Sequence, residues 1–532
     1  MATAGELLKA GKTRELWDKY CGFVDLSVQE FMEIQKCLLL EQLELLNNCK
    51  MTVKIMQGAH PTTVEEFREQ VPFTTYEPYI PYLVDRREDI LPVKPLVWVR
   101  TSGRSGEYPF KWAPVPERLY EEAAKCCVAY IILSACKGRH DIALEANDKL
   151  FYGMAPPPYP TGAYAMATLT EFPLNFMPPP NEAEALDFQE RIRMGISQSL
   201  SQGLDFVFGL SSVLVAIGSG FAERSGGGNI LPLLRRPRAL LRLTKGLVKS
   251  KLARRPMLPK DLWNIKGVMG AGMDASVFRD RIRHYWGKYP LDCYACAEIG
   301  IMAMQTWDFG DMVFLPTTAF FEFIPEEEHW KSKKDKNYQP RTVLLDEIEA
   351  GNRYEIVATS YYGVPFIRYR IGDMLQVNAL RNAALSIELP QISFHSRCDD
   401  IIDIGGFTRL TEKIIWQAIE TSGVAYRDWV IRKEVGDNPF LHLYLEPKDP
   451  GLTAGDALPM IHQKLRELDE DYRDVEDMLS FDPLKVTFLP QGAFERYMAK
   501  QRAAGADIAH LKPRHLSPPD EVLDVLMSMP KS

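Results

Sequence analysis

The stretch Tyr354–Asp373, YEIVATSYYGVPFIRYRIGD, reads as strand, turn, strand. Tyr354–Ser360 is rich in β-branched and aromatic residues, Gly363 marks the turn, and a second run ends at Gly372. Asp373 follows that glycine at the expected strand end, where a carboxylate can accept both hydroxyls of a ribose. Arg368 and Arg370 are two residues apart and are expected on one face. They either face a ligand or pair with nearby acids.

Upstream, residues 263–328 alternate strand-like and helix-like runs, the pattern of a parallel α/β sheet. Residues 1–55 read as helices, with Leu38, Leu39, Leu43 and Leu46 at helical spacing. Residues 72–95 are Pro-rich and expected extended, Val97–Arg100 is a strand, and residues 117–150 are helical. Eight prolines between 153 and 180 predict a long irregular excursion. Downstream the pattern changes near residue 396. Strands at Ile401–Ile404, Asp428–Lys433, Leu441–Glu446 and Lys485–Leu489 interleave with helices at Thr411–Glu420 and Ala454–Leu468. That β-α-β-β-α-β order is the split βαβ arrangement. The expected fold class is α/β, with a large domain at 1–395 and a smaller α+β domain at 396–532.

With 71 acidic against 63 basic residues the net charge is −8, which argues against a nucleic-acid binder. The charged N-terminus is not a signal peptide, and the longest apolar stretch, Cys126–Cys136, is too short to span a bilayer, so a cytoplasmic protein is expected. Nine cysteines lack framework spacing. Cys126, Cys127 and Cys136, with His140 nearby, are read as buried thiols rather than a zinc site, because a second Cys pair is missing.

The chemical signals are spread along the chain. In VWVRTSGRSGEYPFK, Val97–Lys111, a strand runs into Thr101, Ser102, Gly103, Arg104, Ser105 and Gly106. Glycines let backbone N–H groups approach phosphate, and the hydroxyls with Arg104 and Lys111 add donors and charge. A Walker loop is excluded, since Gly-Lys-Ser/Thr is missing; a plain solvated turn is the competing reading. Glu298, in LDCYACAEIGI, follows an apolar strand and can hold Mg²⁺ through one oxygen, or be an ordinary first-turn charge. Tyr294 offers a flat ring to adenine. Arg397 and Asp399 fall at the domain junction, and Gly405–Gly406 suits a tight turn. Lys512, near the C-terminus, can stabilise charge building on a phosphate, or be a surface lysine.

The order of these pieces resembles the adenylate-forming superfamily over residues 70–525, and above all the auxin-responsive acyl-acid amido synthetases, with the phenylacetate–CoA ligase group second. TSGRSG looks like the phosphate loop, YACAEIG like the metal and adenine segment, and RYRIGD like the ribose motif. VMGAGMDASVFRDRI resembles the acyl- and adenine-pocket segment. AFFEFIPEEE and GAFERYMAKQRAAGADIAHLKPR are the most specific matches. The resemblance implies ATP and Mg²⁺ as cofactors. It places Thr101, Ser102, Gly103, Ser105 and Gly106 on phosphates, Glu298 on Mg²⁺, Tyr294 on adenine, Asp373 on the ribose, Arg397 toward the nucleotide and Lys512 as a mobile lysine. It implies an N-terminal ATP- and acyl-binding domain, a mobile C-terminal domain, and activation of a small carboxylic acid to acyl-AMP. The acyl group then passes to an amine or amino acid. CoA as acceptor is the alternative, and a catalytically silent nucleotide-binding relative is the second. Arg104 and Ala297 depart from the family pattern, and Ala493 replaces the lysine of many CoA ligases.

Leu231–Arg255, LPLLRRPRALLRLTKGLVKSKLARR, carries nine Lys/Arg and no acid. A membrane or carrier-protein contact is one reading. The preferred reading is a solvated helical flank with its leucines turned to the core.

Overall fold

The strand Val97–Arg100 (β1) pairs antiparallel with Trp112–Val115 (β2). This computed structural model describes residues 2–100, 111–224, 237–271, 275–335, 337–398, 401–404, 408–435, 439–449, 451–469, 472–473, 483–503 and 513–528.

A five-stranded parallel sheet follows: Lys149–Gly153 (β3), Asn175–Met177 (β4), Phe206–Leu210 (β5), Gly267–Ala271 (β6) and Pro290–Leu291 (β7), in the order β4-β3-β5-β6-β7. Its strands are almost wholly apolar because helices cover them, among them Glu117–Ala135, Phe188–Gln202 and Ala275–Trp286. The Pro-rich excursion is more ordered than the sequence suggested: Pro160–Glu171 is a helix and β4 follows it. Proline at the first helical position loses only an N–H that had no partner there, so Pro160 starts the helix rather than breaking it. Residues 72–95, expected extended, contain short helical turns at Glu77–Tyr79, Ile80–Leu83 and Glu88–Ile90. The helix expected over 117–150 ends at Ala135.

The five-stranded parallel sheet ends at β7. Cys293–Cys296 (β8), Gly300–Gln305 (β9), Met312–Phe314 (β10), Ala319–Pro325 (β11), Arg353–Ser360 (β12), Tyr369–Ala379 (β13) and Gln391–Arg397 (β14) form a seven-stranded sheet, β11-β12-β13-β14-β10-β9-β8. β8–β9, β9–β10, β10–β14 and β11–β12 are antiparallel. Asp373 therefore lies inside β13, not at a strand end, because the apolar alternation continues through Leu375 and Val377.

The turn between β12 and β13 is fastened by the N-terminal helix Val28–Asn47, which opens on a Ser27/Glu30 capping box. Buried Gln42 of this helix donates to the Val364 carbonyl (2.9 Å) and accepts the Gly363 N–H (2.7 Å), so the turn's backbone is satisfied without water. Gly363 has φ +82°, and a Cβ there would sit 2.3 Å from Val93 Cγ2.

The chain divides into two compact units: Met1–Gly103, Phe110–Ile371 and Leu375–Phe394 make the first; Arg104–Pro109, Gly372–Met374 and His395–Ser532 make the second. In the second, Ile401–Ile404 (β15) and Thr408–Thr411 (β16) form a hairpin. Tyr426–Val435 (β17), Pro439–Pro447 (β18) and Leu484–Phe488 (β19) form a separate sheet, antiparallel then parallel. The expected single split βαβ sheet thus lacks its first strand, because β15 pairs with the short β16. The helices Glu412–Thr421 and Ala454–Leu468 close a core around Ile415, Ile419, Trp429, Leu443 and Ile461.

Residues after 512 are stitched to β17: Ile431 N–H donates to the His515 carbonyl (2.7 Å) and Ser517 N–H to the Ile431 carbonyl (2.8 Å). The buried His515 ring stacks on Trp429, lies edge-on to Trp416, and bonds Glu412 (2.5 Å) and Asp428 (3.0 Å). Burial alone would lower its pKa, but the hydrogen bonds and charges of Asp428 and Glu412 outweigh that and raise it to about 9. The protonated ring therefore stabilises this unit fully below about pH 6.5, and the contribution, about 3 kcal/mol, drains away as pH rises through 9. The unit's melting temperature should fall between pH 7 and 9.5. In His515→Gln that slope should flatten; an unchanged slope would refute the assignment.

Among the described residues no helix is long and apolar enough to cross a membrane. All nine cysteines are free thiols, and the Cys126, Cys127, Cys136 and His140 set gathers no converging group of ligand atoms.

The basic segment departs in part from expectation, since Leu240, Leu243 and Leu247 of its helix are half-buried but others are not. Its described part is the helix Pro237–Leu252, whose buried residues are Ala239, Gly246 and Ser250, while Leu241 and Leu252 are exposed. The small residues face inward because the body approaches closely: a Cβ on Gly246 would lie 2.6 Å from Leu262 Cδ2.

Candidate active site

Glu298 occupies the turn between β8 and β9 and is buried. Two backbone features point it inward. The register slips between Tyr294 and Ala295, and Gly300 takes φ +102°, a left-handed conformation that side-chain-bearing residues avoid. The carboxylate accepts a hydrogen bond from the Tyr369 hydroxyl at the start of β13 (2.9 Å). The Lys111 ammonium, just before β2, stands 4.0 Å from the same oxygen. Ser360, the last residue of β12, donates to the Glu298 backbone carbonyl (3.4 Å).

This cluster is held from behind. Lys111 Nζ lies 5.3 Å over the ring of Tyr76. The Tyr76 hydroxyl donates to the Trp112 carbonyl (2.9 Å) and accepts the Trp112 N–H (2.7 Å), locking the residue next to Lys111. Burial first, then the Glu298 charge and hydrogen bond, push the Tyr369 phenol far above its ordinary pKa, so it remains a donor throughout the physiological range. The result is an anionic oxygen pair fixed by one neutral donor, with one cation beside it. That is a hard, oxygen-only donor of the type Mg²⁺ prefers. Tyr294, in β8, is buried four residues before Glu298, with its ring centroid 6.4 Å from that of Phe394 in β14.

Asp373 is buried within β13. Thr101, Ser102, Gly103, Arg104, Ser105, Gly106, Asp399, Gly405, Gly406 and Lys512 lie outside the described residues, as does the side chain of Arg397.

Arg368 and Arg370 each reach an acid, Glu322 and Glu355, and the β11–β12 register places those two carboxylates on one face. Arg368 sits before β13 with φ +40°, so strand alternation does not govern it. Its guanidinium grips buried Glu322 in a two-point pair (2.8 and 2.9 Å) and donates to the carbonyls of Arg68 (2.7 Å) and Val71 (2.6 Å). Arg370 pairs with Glu355 (2.8 and 2.5 Å), which also meets His329 Nδ1 (2.6 Å). Burial would raise the Glu355 pKa, but its bonds to Arg370 and His329 outweigh that and lower it. The reading that pairs both arginines with acids is the correct one.

Tyr369 and Tyr76 were missed in the sequence. Tyr369 is visible in RYRIGD only as an aromatic between two arginines, and nothing local marks Tyr76. The Lys111–Glu298 approach joins residues too far apart in the chain for any spacing rule.

Residues 312–397 match the GH3 family central domain. The chain is 28% identical over 267 residues to the indole-3-acetic acid-amido synthetase GH3.8 of Oryza sativa subsp. indica, covering 46% of this chain and 42% of the relative. It is 26% identical over 287 residues to the jasmonoyl–L-amino acid synthetase GH3.5 of Oryza sativa subsp. japonica, covering 49% and 47%. It thus spans under half the length of these curated relatives. Over nearly its whole length the fold matches two solved structures. One is the acyl acid amido synthetase AtGH3.15 with 2,4-DB (TM-score 0.66, 16% identity, 95% and 94% covered). The other is 2-hydroxyisobutyryl-CoA ligase in its postadenylation state with 2-HIB-AMP (TM-score 0.60, 15% identity, 94% and 92% covered). This chain has the α/β fold of the acyl acid amido synthetase AtGH3.15 and of that CoA ligase, and its residues 312–397 match the GH3 family central domain.

Proposed function

We propose that this protein activates a small carboxylic acid with ATP as an acyl-adenylate and transfers the acyl group to an amine, with an amino acid as the favoured acceptor. The observation that carries this reading is the buried Glu298 carboxylate, aimed by the β8–β9 turn and held by Tyr369 beside Lys111. A carboxylate so held gives Mg²⁺ one fixed oxygen, and the ion would supply charge neutralisation on the phosphates.

The reaction assigned to the chain is in-line displacement. A substrate carboxylate oxygen attacks the α-phosphorus and pyrophosphate leaves; then the acceptor nitrogen attacks the acyl carbon and AMP leaves. The protein's part is positioning and screening. In this reading Thr101, Ser102, Gly103, Ser105 and Gly106 hold phosphates, Tyr294 packs on adenine, Asp373 binds the ribose, Arg397 faces the nucleotide and Lys512 swings in with a mobile C-terminal domain, 396–532. A cytoplasmic setting fits the nine free thiols. An amine acceptor is favoured over CoA because the curated relatives are named amido synthetases and because Ala493 replaces the lysine of many CoA ligases.

Lys512→Ala should lower acyl-adenylate formation by about 10²-fold and leave ATP binding unchanged. Equal pyrophosphate release in the two proteins would remove Lys512 from the chemistry. A panel of carboxylic acids, offered with ATP, Mg²⁺ and either amino acids or CoA, decides the acceptor by mass spectrometry. Amide products support the proposal, a thioester alone replaces the acceptor, and no nucleotide turnover with any acid favours the silent relative.

A further inference from the structure

We propose that the helix Pro237–Leu252 docks this protein on an anionic lipid surface. At roughly 100° per residue, Ala239, Gly246 and Ser250 fall on one line of the helix, and all three are buried against the body. Leu241, Val248 and Leu252 fall about 180° away and are 70%, 58% and 80% exposed. Lys245, Lys249 and Arg238 flank this apolar line on one side and Lys251 on the other, and all four are exposed. The outward face is therefore an apolar ridge between two basic margins.

The helix cannot roll to hide the ridge. Arg242 donates to the carbonyls of Leu200 (2.7 Å) and Ser201 (3.0 Å), at the end of the helix Phe188–Gln202. Just past the helix, Arg255 forms a two-point pair with Asp261 (2.7 and 2.8 Å). Gly246 has no room for a larger residue against Leu262 and Met257. Arg242 and Arg255 are thus engaged internally, while Arg238, Lys245, Lys249, Lys251 and Arg254 are exposed on a chain whose net charge is −8.

Charge complementarity selects the occupant. The segment 231–255 carries nine cations and no acid, so its partner is anionic. The presented surface is a ridge rather than a groove, which fits a deformable interface better than a preshaped protein cleft. Leucines centred between long basic side chains are the pattern of interfacial helices: the apolar line enters the acyl boundary while lysines reach back to the headgroups.

The test is co-sedimentation of the full chain with phosphatidylcholine vesicles, with and without phosphatidylserine. The parent should bind only the phosphatidylserine vesicles. Both Lys245→Glu/Lys249→Glu and Leu241→Ser/Val248→Ser/Leu252→Ser should weaken binding at least about tenfold. Superimposable melting curves should show that both variants are folded, as expected for exposed sites. No binding by the parent, or equal binding to neutral vesicles, would overturn the proposal. So would binding that the leucine substitutions leave intact, which would point instead to an acidic macromolecule held by charge alone.

Discussion

Replacing Glu298 by Gln should lower carboxylate-dependent pyrophosphate release by on the order of 10²–10³-fold. The change is nearly isosteric, and the amide oxygen can still accept the Tyr369 hydroxyl, so the β8–β9 turn should keep its shape. What disappears is the negative charge that faces Lys111 across 4.0 Å and that would bind Mg²⁺. The defect should lie in turnover, with the melting temperature little altered. Tyr369→Phe should show a smaller defect, about tenfold, because it removes only the donor that orients the carboxylate. Glu298→Gln turning over at the parent rate would mean that the carboxylate takes no part in nucleotide chemistry.

The largest effect on stability is expected at Arg368. Arg368→Met should cost about 3–5 kcal/mol, because it strands the Glu322 carboxylate in the interior. Arg68, 3.6 Å from Glu322, and the Thr342 hydroxyl, 2.8 Å from it, offset only part of that loss. The carbonyls of Arg68 and Val71 also lose their donor, and the Phe73 ring loses the guanidinium 4.1 Å above it. Glu322→Leu combined with Arg368→Met should recover a large share, since no charge is then buried alone. Urea titration reads both variants. A single variant as stable as the parent, or a double variant no better than the single, would show that the pair is not a stability determinant.

The same pair shows why the fold was more legible than the site. β1, β15 and the helix Ala454–Leu468 announce themselves through local alternation, helical period and capping, and their bounds could be read from the chain alone. Where a local rule met a tertiary demand, the rule failed. Arg368 lies outside β13 with a left-handed backbone, and the acids that it and Arg370 reach, Glu322 and Glu355, sit on the neighbouring strands, where no spacing in the sequence places them. The leucines of Leu231–Arg255 are expected to seek the core; in the described helix Leu240, Leu243 and Leu247 are half-buried and Leu241 and Leu252 exposed, because Gly246 packs too closely on Leu262 to admit a larger residue. Glu298 was recognisable from its place after an apolar strand, whereas Lys111, Tyr76 and Tyr369 reach it through contacts that no spacing encodes.

The most direct test of acyl-adenylate formation is carboxylate-dependent exchange of labelled pyrophosphate into ATP, run on the parent and on Glu298→Gln in the absence of any acceptor. Adenylation is reversible before transfer, so at least one acid in a panel should drive exchange in the parent, and the variant should be nearly silent. Exchange absent from the parent with every acid, or equal in the two proteins, would contradict the assignment of Glu298 and its neighbours to the activation of a carboxylic acid.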